Sequence, residues 1–580
     1  MGFIKALVLL IFIPALGIVV ANWVLSDVES QLAQRELDFA SLCSDDSFTH
    51  VSNVKALCDE VAPIRLLRRA SWASAVVAVG LLLSFFFASR VAGRDREKIT
   101  RIFPPLVFVS LFVLAVLVLV QGAILTYSVY LGEVQLISTA HLGIIALVGL
   151  GALIGGWQLV VASFRLAGRQ TSTVVGTALD RDTHPHLFAF VDDLSARLGA
   201  RSPDHIVVGL EPNFYVSSGD MYVLMDERRL NGETLYLSLP LSRIFTREEL
   251  RGVIGHELGH FRGKDTHFSL KFSPVYAGLS HGLAALSGDN GGGALATIPA
   301  RAVLNYMIEA FHTNVSAIGR EREFAADRAA TEVAQPLALA TALLKVNLYA
   351  SAWHNLEMAI VNRMSRRRGT RNMSWLFSSI VKYDVNREKI PEVIDEIGAA
   401  TISHPTDSHP PTASRIEEMG LRVNDIDHEL LLFSEHDNSI DLINEFCELE
   451  EKLTDLQHQY YMAIGVEVPE QEDINYGALL VAAFGAHMVL ADGAVVAEEV
   501  DEAEAIGMNI VEDFDCIDFR EYCHYPDMLP SLEDLFAAGD DLDQQHKDIV
   551  IDYLERIAGS DNEVSVEEAA LLAKVKARFG

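Results

Sequence analysis

Within its first 164 residues the chain carries four apolar runs, 3–25, 71–89, 103–131 and 139–164. Each is long enough to cross a bilayer, which takes about 20 residues of helix. Residues 103–131 read FPPLVFVSLFVLAVLVLVQGAILTYSVYL and hold no charged side chain. Four such runs in succession are more than the buried helices of one soluble core supply, so the chain is expected to be a membrane protein. The first run, with Lys5 ahead of it and Val19-Val20-Ala21 behind, also fits a signal peptide. Both readings start the chain in the cytoplasm and export the residues behind the first run.

Basic residues orient short loops. Arg90, Arg94, Arg96, Lys98 and Arg101 lie between the second and third runs, whereas residues 132–138 have no Lys or Arg. The basic loop is therefore expected inside, and four crossings return the chain to the cytoplasm, where Arg165 and Arg169 follow the last run. Arg65, Arg68 and Arg69, ahead of the second run, oppose this arrangement. Residues 26–70 then face outside, where Cys43 and Cys58 are placed to form a disulfide, two free thiols being the alternative. Five cysteines without a CxxC spacing exclude both a disulfide scaffold and a Cys-rich zinc module.

The main chemical signal is TREELRGVIGHELGHFRGKD. Thr246 and Glu249 have the spacing of a capping box, which starts a helix just before the apolar positions Leu250, Val253, Ile254 and Leu258. On that helix His256 and His260 share one face, one turn apart, as two imidazole ligands of a zinc ion do. Glu257 stands beside them as general base toward a water. The motif also arises by chance, so its company decides. A catalytic zinc needs a third protein ligand and an open position. The segment REREFAADRAATEV is again helical, with Glu323 and Asp327 at i and i+4 on one face. Glu323 is expected as third ligand, and Asp327 as the carboxylate that orients the imidazole of His256 or His260. Glu321 is the rival ligand, on a different helix face.

These residues resemble the membrane zinc metallopeptidases that include HtpX and the CAAX prenyl proteases. The resemblance covers roughly residues 170–420 and rests on Pro212-Asn213, GHELGH at 255–260, EFAAD at 323–327 and HPPTASRI at 409–416. It implies an α+β zincin-like peptidase domain with a small β-sheet, Zn2+ as cofactor, His256, His260 and Glu323 as ligands, and Glu257 as base. It also implies that Asn213 clamps a substrate backbone, the alternative being an ordinary turn asparagine. By the same resemblance His409 is the oxyanion donor, and Arg415 supports it electrostatically or clamps substrate; a helix start and a surface charge are the alternatives. Residues 221–241 read as two strands joined at Asn231-Gly232 in a hairpin. An exposed strand edge beside the zinc helix would pair with an extended substrate. Residues 267–317, interrupted by Lys271, Asp289, Arg301 and Glu309, read as amphipathic or peripheral helices rather than clean spans.

Residues 421–580 hold 39 acidic against 8 basic side chains, nearly the whole of the net charge of -33. That excludes nucleic acid as a partner of the tail. Residues 421–475 read as a charged helical connector. Beyond them Asp492-Gly493-Ala-Val495-Val-Ala-Glu498-Glu499 echoes as Asp561-Asn562-Glu-Val564-Ser-Val-Glu567-Glu568, and Ser565 with Glu568 has the spacing of a capping box. Helix capping accounts for both copies. The layout of residues 476–580 resembles TerB-like domains of the tellurite-resistance type, which implies an all-α module that binds a divalent cation or a protein partner. The oxygen ligands of an EF-hand are missing.

The expectation is thus a mainly α membrane protein of four parts. Residues 1–170 form a membrane domain with four transmembrane helices, 171–420 a zinc metallopeptidase domain, 421–475 a connector and 476–580 the acidic TerB-like bundle. Its function is expected to be hydrolysis of polypeptide substrates, membrane proteins among them, in quality control at a cell inner membrane, with catalytic and C-terminal domains cytoplasmic. The alternative is a membrane-tethered scaffold whose acidic module recruits partners, with a structural or idle zinc site.

Overall fold

The computed structural model describes residues 2–33, 52–167, 171–262, 275, 279, 294–365, 368–384, 390–399, 410–433, 439–467, 476–493, 495–511, 514–559 and 564–580. The chain divides into two units, Met1–Thr171 with Gly263–Arg322, and Ser172–Arg262 with Glu323–Gly580.

In the first unit the apolar runs are helices: α1 (Gly2–Ala33), α2 (Ser52–Ala92), α3 (Arg96–Ile137) and α4 (Leu142–Ala167). Three of them, α1, α2 and α3, are long and apolar enough to cross a membrane; in α4 the described apolar stretch is the shorter 142–157. At about 1.5 Å per residue, α2 and α3 are roughly twice as long as a bilayer's hydrocarbon core is thick. The segment expected as an outer loop is therefore helical where it adjoins the spans. Val61, Ile64 and Leu67 of α2 pack there against Ala21, Val24 and Leu25 of α1. Cys58, on this stretch, is disulfide-bonded; Cys43 lies outside the described residues. Asp95 caps α3, its Oδ1 accepting from the backbone of Glu97 at 3.0 Å and Lys98 at 3.2 Å. Among the apolar side chains Gln121 is buried, and its Nε2 donates to the Leu10 carbonyl at 3.0 Å and to Ser74 Oγ at 3.1 Å. An amide in such surroundings must find its partners inside the protein.

Helix α8 (Ala294–Ala330) begins in this unit; residues 267–293 lie outside the described ones apart from Val275 and Leu279. Its residues Ala300, Ala302, Val303, Leu304, Tyr306 and Met307 are buried, on more than one side of the helix. Val303, Met307 and Phe311 pack with Leu10, Phe85 and Phe103, and the rings of Phe103 and Phe311 meet edge to face at 4.8 Å. It is not among the spans found in the described residues.

The second unit opens with β1 (Ser172–Val174), β2 (Gly176–Ala178), α5 (Pro185–Leu198) and β3 (His205–Gly209). There follow β4 (Tyr215–Ser217), β5 (Met221–Val223), β6 (Arg228–Leu230) and β7 (Thr234–Ser238). They form a three-stranded sheet in the order β1-β5-β6 and a four-stranded one in the order β2-β3-β7-β4. Successive side chains of a strand point to opposite faces. Ile206, Val208, Leu235 and Leu237 accordingly enter the main core, while Val207 and Tyr236 meet Val174, Met221 and Val223 of the other sheet.

The expected hairpin at Asn231-Gly232 is not formed. Met221 pairs with Leu230 antiparallel, so the chain reverses at residues 224–227, where Glu227 takes φ 49°. That turn is tied down by Asp226, which accepts from Ala178 N at 2.7 Å and Thr177 Oγ1 at 2.9 Å. Asn231-Gly232 instead carries the chain from one sheet to the other. Gly232, at φ 114°, lies so close to Asp204 that a Cβ would sit 2.4 Å from its Oδ2.

After β7 come α6 (Leu239–Ile244), α7 (Arg247–His260) and the last turns of α8, then α9 (Pro336–Met364), α10 (Met373–Asp384), α11 (Ile390–Ala399), α12 (Thr412–Glu418) and α13 (Phe446–Ala463). The segment expected as a connector is part of the main core, to which it contributes Leu442, Ile443, Phe446, Leu453 and Tyr461. Charge alone misleads here because one of its carboxylates is an internal tie. Glu450, fully buried, accepts from Arg243 Nε at 2.8 Å, Asn372 Nδ2 at 2.9 Å and Ser374 Oγ at 2.5 Å.

The C-terminal helices are α14 (Tyr476–Val489), α15 (Ala497–Ile510), α16 (Cys516–His524), α17 (Leu532–Asp540), α18 (Gln544–Ala558) and α19 (Val566–Phe579). Helix α14 is apolar on nearly every side and packs against α15, α16, α17 and α18, around Phe484, Phe519, Tyr553 and Phe579. The Ser565–Glu568 capping box is formed, with Glu568 N donating to Ser565 Oγ at 3.1 Å. Asp561 and Asn562 lie outside the described residues.

Candidate metal centre

Helix α7 starts where the capping box places it. Glu249 N donates to Thr246 Oγ1 at 3.2 Å and Thr246 N to Glu249 Oε2 at 2.7 Å. The same carboxylate oxygen accepts from Lys345 Nζ at 2.8 Å; both side chains are buried, so the first turn of α7 is pinned to α9 by a charge pair. Leu250, Ile254 and Leu258 face the main core.

The two glycines of GHELGH decide how near α8 comes. A Cβ on Gly255 would lie 3.3 Å from Ala330 Cα, and one on Gly259 would lie 3.1 Å from Ala326 Cα. Small residues on both helices let the backbones nearly touch. Across that contact His256 Nε2 and His260 Nε2 each stand 3.5 Å from an oxygen of Glu323. We expect Gly259→Val to force the helices apart, with about 1–3 kcal/mol of overpacking in thermal unfolding and a weaker metal site in zinc titration.

His256, His260 and Glu323 each offer one ligand atom, and these atoms lie within 4.8 Å of one another. A tetrahedron with bonds of about 2.1 Å has edges of roughly 3.4 Å, close to the two His–Glu separations. Asp327, fully buried, accepts from His256 Nδ1 at 2.8 Å. It therefore serves His256 rather than His260, and it holds the ring with the Nε2 lone pair toward Glu323. Glu321 is exposed, whereas Glu323 is buried. Glu257, buried beside the first histidine, acts electrostatically on both His256 and Arg415.

Arg415 is placed otherwise than as a clamp on substrate. It is buried on α12, with Nε donating to Asp327 Oδ2 at 2.9 Å and Nη2 to Asp327 Oδ1 at 2.6 Å, while Nη1 lies 3.9 Å from Glu323. Burial pushes the Asp327 carboxyl up, but Arg415 and His256 outweigh it and hold it below the ordinary range. Burial and Arg415 push the His256 imidazole down, and its bonds to Asp327 and Glu323 prevail, holding it up at about 9. Without a metal that imidazole's proton offsets part of the excess of three carboxylates over one guanidinium; with both imidazoles neutral, a divalent cation would balance it. The donor set, two imidazole nitrogens and a carboxylate, fits zinc.

Asn213 is exposed at the approach to β4, its Oδ1 accepting from Phe214 N at 2.9 Å. His409 lies outside the described residues. The sequence reading missed Lys345 and the Arg415–Asp327 pair. A buried aspartate demands a cation, and that demand was the available signal.

Residues 223–422 match the model of peptidase family M48. The chain is similar to proteins named "Protease HtpX homolog". That of Thermococcus kodakarensis is 26% identical over 42% of this chain and 74% of the relative. That of Halobacterium salinarum is 25% identical over 50% and 92%, and that of Pyrobaculum aerophilum 28% identical over 50% and 80%. No solved structure matches the chain significantly. The M48 segment spans every described member of the His–Glu–Asp–Arg cluster, and together with the apolar N-terminal helices these similarities support a membrane metallopeptidase.

Proposed function

We propose that the chain is an integral membrane zinc endopeptidase, with His256, His260 and Glu323 holding the metal. The observation that carries this reading is the convergence of those three ligand atoms beside Glu257, on helices pressed together at Gly255 and Gly259. Bound zinc supplies a Lewis acid that polarises the scissile carbonyl and lowers the pKa of a water. Glu257 accepts the proton of the attacking water and delivers it to the leaving amine. Asp327 keeps His256 in its ligating tautomer, and Arg415 keeps Asp327 ionised and in place. His409 donates to the developing oxyanion.

Substrate lies along β4, the edge of the four-stranded sheet, which packs beside α7. Its outer backbone groups pair with an extended chain and ask little of its sequence, while Asn213 holds the same backbone at the strand's start. Membrane proteins at a cell inner membrane are the proposed substrates, in quality control, with the catalytic part inside. A scaffold with a structural zinc would close the coordination sphere with four protein ligands; the described cluster has three.

Purified protein is expected to degrade casein, to stop when a chelator is added and to resume with zinc. Casein left intact by zinc-loaded protein overturns the peptidase reading. In intact spheroplasts an impermeant thiol reagent is expected to spare Cys447, which is exposed on the protein surface. Labelling of Cys447 from outside reverses the topology.

A further inference from the structure

The end of α9 and the loop that leads to α10 read RMSRRRGTR over residues 363–371, with five arginines in nine positions. The described arginines among them all meet carboxylates of the C-terminal bundle. Arg363, buried, donates through Nη1 to Asp515 and through Nη2 to Asp518 at 2.6 Å. Arg368 Nη1 lies 3.2 Å from Asp515 and 3.1 Å from Asp518, and Arg371 Nη1 donates to Asp527 at 2.8 Å. Glu521, also buried, accepts from Thr370 Oγ1 at 2.5 Å and from the Arg371 backbone at 2.6 Å.

The receiving face is rigid. Asp515 caps α16 with Oδ1, which accepts from Ile517 N and Asp518 N, and this leaves Oδ2 aimed at the arginines. At the other end of α16, His524 stacks on Trp375 with ring centroids 4.0 Å apart. Arginine suits this face better than lysine, because Arg363 reaches two carboxylates and the Gly369 carbonyl at once, a fork an ammonium cannot reproduce. Beside these charges the apolar walls do not close. A cavity of about 570 Å³ separates α9, α10 and α11 from α15 and α16, lined by Leu348, Leu356, Ile380, Val393, Met508 and Cys516 among others. Charge pairs therefore carry much of this junction, and charge pairs can be exchanged for others of the same kind.

We propose that the acidic face of α16 is a recognition surface for arginine-rich polypeptide segments, filled in cis by Arg363 and Arg368 with Thr370 and Arg371 beside them. An arginine-rich segment of another polypeptide competes for the same carboxylates and releases the bundle from the loop. The loop leads directly into Asn372 and Ser374, which bind Glu450 together with Arg243 of α6, so the latch adjoins the framework that precedes α7.

Cys516 reports on the junction, since it lines the cavity, is half-buried, and burial pushes its pKa up to about 12. The full chain is labelled with a thiol reagent and each cysteine is followed by mass spectrometry. A peptide of sequence RMSRRRGTR added in trans is expected to speed Cys516 labelling by roughly tenfold or more, as when local opening limits access. The same peptide with glutamine for every arginine is expected to do nothing. Asp518→Arg, which keeps the Asp515 cap, is expected to label Cys516 fast without peptide. Cys523, in the bundle core, stays protected in an opened but folded chain. If Asp518→Arg exposes Cys523 it has unfolded, and the peptides on the unaltered chain decide alone. A glutamine peptide as effective as the arginine one, no response to either, or slow Cys516 labelling in a folded Asp518→Arg chain overturns the proposal. The labelling is done with a chelator present, so the added peptides are not hydrolysed and the result is independent of the peptidase reading.

Discussion

Glu257→Gln is expected to retain zinc and to lower kcat/KM by about 10²–10⁴-fold, the usual contribution of a positioned general base. The substitution keeps size and hydrogen-bonding shape, so His256, His260 and Glu323 remain as they are. What is lost is the capacity to take a proton from the attacking water, since a neutral amide has no basic oxygen at working pH. Metal analysis and a cleavage assay on the same preparation decide the matter. Full activity in a zinc-loaded Glu257→Gln protein would falsify the assigned base, and loss of zinc would show that Glu257 holds the site together rather than acting on the water.

Arg415→Met is expected to have the largest effect on the folded state. Asp327 is fully buried and receives two bonds from that guanidinium. Removing the cation strands a buried carboxylate, which typically costs about 3–5 kcal/mol. The remaining Asp327–His256 bond is then weakened by protonation or displacement of the carboxylate, and zinc affinity should fall about 10–100-fold, as for other partners of metal-binding histidines. Arg415→Lys restores charge but not the two-pronged contact, so it should fall between. Thermal unfolding with and without zinc, together with competitive zinc titration, measures both effects. An Arg415→Met protein with unaltered zinc affinity but lower kcat would return Arg415 to the substrate or the oxyanion. If both quantities stay unchanged, the pair has no positioning role.

Legibility followed the range of the interaction. The start of α7 was readable because Thr246 and Glu249 are three residues apart and meet whatever the rest of the chain does. So was the capping box at Ser565 and Glu568. Glu323 and Asp327 could be placed on one helix face by spacing alone, but their service to His256 rather than His260 could not. The hairpin was misplaced because Asn231-Gly232 is a strong local turn signal, while the partners of β7 are β3, parallel and more than twenty residues away, and β4, antiparallel, neither of them the preceding strand β6. Residues 421–475 read as a charged connector because their charges stand out in the sequence, which does not reveal that Glu450 lies among Arg243, Asn372 and Ser374.

The sequence by itself determined the long apolar N-terminal helices, the helix bearing His256, Glu257 and His260, and the residue types able to hold a zinc ion, because apolar length, helical period and capping depend on neighbours along the chain. Only the tertiary structure decided which carboxylate orients which imidazole, that Arg415 belongs to Asp327, and that the arginine-rich loop belongs to α16. Those outcomes rest on Gly255 and Gly259 letting two helix backbones approach, and on buried charges finding partners 88 and 152 residues away. Pairings at such separations carry no periodic trace in the sequence, since the free energy of a buried ion depends on the three-dimensional neighbour that neutralises it.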